Sequence, residues 1–207
     1  MIGIIDYNAG NITSVERALK SLNIEYIRSK NPDDLKNCEK LLFPGVGDAA
    51  YAMEQLKETG FDKFIKESAN IGKPLFGICL GSQIIFEKSE EGDVECLGLI
   101  KGTIKHFYTI NKDLEKEDLK VPHMGWNNLN RKNGGSPLLE GIPESADFYF
   151  VHSYVICPEE QEVIKATADY GIEVPSLIQK GNIYASQFHP EKSGTVGLRM
   201  LENFCKL

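Results

Sequence analysis

The first half of the chain alternates short apolar runs with amphipathic segments. "IGIIDY" (2–7) suits a buried strand and leads through the loop "NAGN" into "ITSVERALKSL". There Val15, Ala18, Leu19 and Leu22 form a helical stripe, and Thr13 and Glu16 have capping-box spacing. "IEYIR" (24–28) and "KLLFPG" (40–45) follow, then helical segments near 48–58 and 61–70, then "PLFGIC" (74–79) and the helix it feeds. Strand–helix–strand alternation implies a parallel sheet with helices on both faces. From about residue 97 the pattern becomes strand-like stretches joined by turns: "LGLIKGTIKHF", "GWNNLN", "DFYFVHSYVIC", "EVIKATADY", "SLIQKG" and "NIYASQF". Helical periodicity returns only in "TVGLRMLENFCKL". The expected fold is α/β, a mostly parallel central sheet flanked by helices with a β-rich second half, in one domain over residues 1–207. The polar stretch "NKDLEKEDLK" (111–120) reads as a solvated loop or short helix.

Composition narrows the function. A net charge of −7 argues against a nucleic-acid footprint, which wants a basic face. No apolar stretch approaches membrane-spanning length, and "MIGIIDY" meets Asp6 too early for a secretory signal. The five cysteines are odd in number and widely spaced, without a Cys-x-x-Cys pair, so neither a disulfide framework nor a zinc site is expected and a reducing cytosol is the natural setting. No metal and no cofactor is expected. Cys38, Cys96, Cys157 and Cys205 read as filler; Cys79 does not.

Cys79 lies in "GICLG", between an apolar run and a new helical stripe. This has the form of a nucleophile elbow with Cys in place of Ser. Small residues at Gly77 and Gly81 let the backbone bend sharply. The bend lifts the sulfur clear of the sheet edge, sets it at a helix N-terminus that favours the thiolate, and turns the Leu80 N–H toward a developing oxyanion. The plainer alternative is a buried cysteine at an ordinary strand end.

A thiolate needs a base. Among His106, His123, His152 and His189, the last stands out because it follows a strand and sits in "FHPE" (188–191). Pro190 biases His189 toward extended geometry, where positions i and i+2 face one way. Glu191 can then hold one ring nitrogen and leave the other for sulfur, a base with its orienter. "PGVG" at 44–47 ends another strand, and its glycines allow the N–H groups of Val46 and Gly47 to turn inward as a second oxyanion donor. A plain strand-to-helix turn is the alternative there; phosphate-binding spacings are absent.

"PGVG", "GICLGSQ" and "FHPEKS", in that order, resemble the class I glutamine amidotransferase family across essentially the whole chain. With "IIDYNAGNITSVERAL", "PHMGWN" and "YFVHSY", the finer resemblance is to the glutaminase subunits of imidazole glycerol phosphate synthase. The resemblance implies that Cys79 attacks the carboxamide of L-glutamine, with His189 as base and acid and Glu191 as orienter. It implies that Gln83 helps bind glutamine, that the backbone of His152, Ser153 and Tyr154 grips its α-amino and carboxylate groups, and that Val46 or Gly47 joins Leu80 in an oxyanion hole, the peptide flipping first. One position departs: the family commonly has Met where this chain has Ser82.

The chain carries no ATP loop and no synthetase-like stretch, and ammonia released into water is mostly protonated and no longer nucleophilic. A docked partner is therefore expected. The resemblance names it as a (β/α)8-barrel cyclase subunit making imidazole glycerol phosphate and AICAR, with Asn11, Trp126 and Lys192 at the interface. His123 is expected to be structural or interfacial, and His106 a plain strand position. Three rivals remain: a paralogue supplying ammonia for amidino sugars, a cysteine peptidase or γ-glutamyl hydrolase, and a non-catalytic binding module.

Overall fold

The computed structural model describes residues 1–115 and 119–207. In the first half, β1 (Ile2–Ile5), α1 (Ile12–Ser21), β2 (Tyr26–Ser29), β3 (Lys40–Gly45), α2 (Ala49–Thr59), α3 (Phe61–Asn70), β4 (Leu75–Cys79) and the single turn α4 (Leu80–Gln83) follow in order. Then come β5 (Lys88–Ser89), β6 (Val94–Glu95), β7 (Gly102–His106), α5 (Phe107–Ile110), β8 (His123–Asn128) and β9 (Asn130–Arg131). The chain finishes with β10 (Asp147–His152), β11 (Tyr154–Pro158), β12 (Ile164–Asp169), β13 (Glu173–Lys180), β14 (Ile183–Ser186) and α6 (Gly194–Lys206).

The main sheet runs β2-β1-β3-β4-β14-β13-β12-β9. Its pairings are parallel from β2 to β14 and antiparallel beyond. β1, β3, β4 and β14 are buried at every position, as strands covered on both faces must be. One apolar cluster takes residues of α2 and α3, such as Leu56 and Ile65; the other takes the stripes of α1 and α6, such as Leu19 and Phe204. The sheet is thus clad on both sides.

β14 pairs in parallel with β4, Ser186 opposite Ile78, although more than a hundred residues separate them. Parallel neighbours end at the same sheet edge, so the segments after β4 and β14 emerge side by side, where ligands gather in open α/β sheets. β3 flanks β4 on the other side with Gly45 opposite Cys79, which brings the loop after β3 to the same edge.

The structure redraws several local expectations. Thr13 and Glu16 form no capping box: Asn11 is the N-cap and makes no side-chain cap bond, while Glu16 accepts from Tyr26 Oη and Arg28 Nη1, both at 3.2 Å. The stretch 97–107 is strand only over β7. "DFYFVHSYVIC" breaks at Ser153 into β10, which pairs with β8, and β11, which pairs with β7 in a separate four-stranded sheet. The polar stretch 111–120 includes a short 3-10 turn at Lys112–Glu115; its residues 116–118 lie outside the described residues. Among the described residues no helix is long and apolar enough to cross a membrane.

Candidate active site

At the end of β4 the backbone turns through Cys79 with φ 54° and ψ −113°, a conformation that a residue bearing a Cβ adopts only at a cost. This is the strained corner of an elbow. Close packing leaves no freedom around it: a Cβ on Gly81 would stand 2.0 Å from the Phe43 carbonyl oxygen, and one on Gly77 would stand 2.7 Å from the Gly81 oxygen. Both small residues are needed because β3, β4 and α4 nearly touch. The helix after the corner is short, only four residues, so its macrodipole is small. The free N–H groups of this first turn remain available.

His189 arrives from the neighbouring strand and is anchored through its backbone. Its N–H donates to the Tyr149 carbonyl at 2.9 Å, and its carbonyl accepts from Ser193 Oγ at 2.6 Å. Ser193 Oγ in turn accepts from the Tyr149 N–H at 3.0 Å, tying the turn after β14 to β10. The imidazole Nδ1–H donates to Glu191 Oε1 at 2.7 Å, and both side chains are 2% exposed. Nε2 makes no hydrogen bond of normal geometry. Burial pulls the His189 pKa down, but the nearby Cys79 sulfur and the Glu191 carboxylate more than offset this and push it up to about 9.

The other buried histidines behave in the opposite sense. His152 falls to about 3, chiefly through burial, and His123 to about 4 for the same reason. Their bonds fix the tautomers. The Tyr154 carbonyl can only accept, so His152 Nδ1 carries the proton at 2.8 Å. His152 Nε2 must then accept from His123 Nδ1–H at 3.2 Å. His123 itself is sandwiched between Phe150 (4.6 Å) and Tyr170 (4.0 Å), a structural place. His106 ends β7 and caps α5, its Nδ1 accepting from the Tyr108 N–H, so it does more than fill a strand.

A cavity of about 350 Å³ opens over the elbow, lined among others by Cys79, Leu80, Gln83, His189, Val46 and Gly47. His152, Ser153 and Tyr154 form another wall, exposed to it by the strand break at Ser153. Gln83 Nε2 donates both its hydrogens, to the Tyr154 carbonyl (3.1 Å) and to Gln187 Oε1 (2.9 Å), so only its carbonyl oxygen is left for a ligand. Of the two N–H groups expected to supply the second oxyanion donor, that of Val46 is engaged elsewhere. The Val46 N–H points away and donates to the Ala9 carbonyl at 3.2 Å, and Gly47 holds φ +99° with open space around it.

Glu91, Pro122 and Val151 line the cavity without having been expected there, and Gln187 stands beside Gln83. Glu91 lines the cavity, its Oε2 accepting from the Ala49 N–H at 3.0 Å, and burial raises its pKa. In "KSEEGDVE" it looks like one more member of a solvated charge run, and nothing local separates it from Glu90. Gln187 is wholly buried beside Gln83; its position just before "FHPE" was the available signal.

Of the residues assigned to an interface, Lys192 lines this cavity. Trp126 is 58% exposed and packs edge-on against Tyr149, whose ring also lies 5.9 Å from Lys192 Nζ. Met124, two residues earlier on β8, is 61% exposed. Asn11 is exposed at the start of α1.

A strained cysteine elbow in this sheet position, facing a carboxylate-bound histidine, goes with what sequence comparison finds. The glutamine amidotransferase class-I family model matches residues 3–207, and the chain belongs to that family. It is 47% identical over 208 residues to "Imidazole glycerol phosphate synthase subunit HisH" of Geobacillus sp. (strain WCH70), covering 100% of this chain and 97% of the relative. The protein of the same name from Bacillus licheniformis is 49% identical over 207 residues, covering 99% and 95%. Among solved structures, "Crystal structure of glutamine amidotransferase" shares the fold with a TM-score of 0.75 at 21% identity, over 99% of this chain and 97% of that one.

Proposed function

We propose that the chain is the glutaminase subunit of an imidazole glycerol phosphate synthase, one functional domain over residues 1–207, working in the cytosol with a (β/α)8-barrel cyclase subunit. The main support is the emergence of Cys79 and His189 from adjacent parallel strands into one cavity, with Glu191 bound to the far ring nitrogen.

In the proposed reaction the Cys79 thiolate attacks Cδ of L-glutamine, and the carboxamide π electrons move onto oxygen. Collapse of the tetrahedral adduct breaks the C–N bond, and His189 imidazolium gives its proton to the departing ammonia. His189, now neutral, takes a proton from water, whose oxygen attacks the γ-glutamyl thioester and releases glutamate and thiolate. Glu191 keeps Nδ1 protonated and stabilises the imidazolium throughout. Leu80 N–H is one oxyanion donor; Val46 becomes the other once its peptide lets go of Ala9 and rotates. The substrate's α-ammonium meets Glu91 and the free Gln83 oxygen, and the backbone of His152, Ser153 and Tyr154 holds the rest of its amino-acid end.

With the Val46 N–H committed to Ala9, the hole lacks that donor, and low activity in the resting state follows. Ammonia must pass to its acceptor sheltered from water. The exposed Trp126, Met124 and Asn11, with the cavity-lining Lys192, suit a docked partner. Cyclisation to imidazole glycerol phosphate and AICAR belongs to that partner. The amidino-sugar alternative gains nothing from relatives that carry the HisH name. The test is glutamate release by the chain alone, with the barrel, and with the barrel plus its ligand. A stepwise rise is expected; high, unchanged activity from the isolated chain would overturn the proposal.

A further inference from the structure

We propose that Ser82 is a positioning residue that aims the Leu80 N–H at the oxyanion. This rests on the reading of Cys79 as the nucleophile. Ser82 is wholly buried, and its Oγ–H donates to the Cys79 carbonyl at 2.5 Å. That carbonyl and the Leu80 N–H belong to one planar peptide unit. The unit is trans: among the described residues the cis peptide is Val121–Pro122. In a trans peptide the C=O and N–H vectors point in opposite directions. Holding the carbonyl down toward Ser82 therefore holds the N–H up toward the cavity that Leu80 lines.

The bond is placed where it is most needed. Leu80 is the first residue of a one-turn helix, and its N–H has no intrahelical acceptor to orient it. The preceding residue is held at φ 54°, a conformation from which relaxation would rotate this same peptide. With the Val46 N–H turned to Ala9, more of the oxyanion's support falls on Leu80, so its aim bears directly on the rate. Serine back-bonding to a carbonyl three residues earlier is common and often merely structural. The peptide it grips here is what adds the catalytic consequence.

The experiment compares Ser82→Ala with wild type under the conditions that give the wild type its highest glutamate release. It also measures alkylation of Cys79 by iodoacetamide, a displacement at carbon that expels iodide and forms no oxyanion. A fall in kcat of about tenfold is expected, a part of the roughly 10²–10³ that losing a whole oxyanion donor costs. KM for glutamine and the alkylation rate should stay within about twofold. Unchanged kcat overturns the proposal. So does a parallel loss of kcat, KM and alkylation, which would make Ser82 a support of the elbow as a whole. Should Ala not fold, Ser82→Thr and Ser82→Val are the size-matched pair: Thr should keep kcat and Val lose it, and equal rates overturn the proposal. A wild type that hydrolyses glutamine without any reactive Cys79 would instead sink the nucleophile assignment.

Discussion

Replacing Glu191 with Gln removes one charge and keeps the shape of a side chain that is 2% exposed and 2.7 Å from His189 Nδ1. The wild-type imidazole is held at about 9 against an ordinary 6.5, despite a burial that works the other way. At about 1.4 kcal/mol per tenfold, the sulfur and the carboxylate together outweigh burial by roughly 3 kcal/mol. The carboxylate is the permanent part of that support, since the thiolate is consumed at each acylation. Its loss should bring the alkaline limb of kcat/KM down by about one pH unit or more. A glutamine side chain also holds the ring tautomer less firmly, because either end of its amide can face Nδ1, and a triad that loses its orienting carboxylate slows by up to about 10⁴. Glutamate release should therefore fall between about 10² and 10⁴. The assay is a pH profile of glutamate release for both proteins with the barrel present, alongside synthesis from added ammonia, which should be unaffected. An alkaline limb that stays in place, with a rate within about twofold of wild type, would refute the role given to Glu191.

Three further outcomes follow from the same geometry. The His189 pKa is raised on folding, so its contribution to stability is present below about 6.5 and is lost as pH rises through about 9; melting temperature should decline over that window, and His189→Asn should lack that component. Gly81→Ala places a Cβ 2.0 Å from the Phe43 carbonyl and should cost about 2 kcal/mol or more in chemical denaturation, with glutaminase lost as the elbow shifts. Trp126→Ala removes a ring that is 58% exposed, so the melting temperature of the isolated chain should hold while affinity for the barrel, read by calorimetry, drops about tenfold or more.

The parallel half of the fold was legible because its strands are buried on both faces. "KLLFPG" and β3 coincide residue for residue, and α3 spans the expected 61–70. The second half was less so. "DFYFVHSYVIC" is continuous in pattern, yet β10 and β11 belong to different sheets, and only tertiary packing decides that Ser153 is the break. The capping box failed because Glu16 found partners in Tyr26 and Arg28, which are distant in sequence. In the site, Cys79, His189 and Glu191 carried signals in the backbone chemistry around them: glycines at the corner, a proline fixing the turn. Glu91 carried none, since it is held by the N–H of Ala49 at the start of α2, 42 residues away, and the engagement of the Val46 N–H by Ala9 joins two loops that no spacing connects.

The central claim is that the Cys79 sulfur is the nucleophile toward glutamine. The most direct measurement is mass mapping after exposure to a diazoketone analogue of L-glutamine. A single adduct on Cys79 is expected, suppressed by excess glutamine and slowed in His189→Ala, with Cys38, Cys96, Cys157 and Cys205 unmodified. Loss of glutaminase with Cys79 unlabelled, or glutamate release that survives Cys79→Ala, would contradict it.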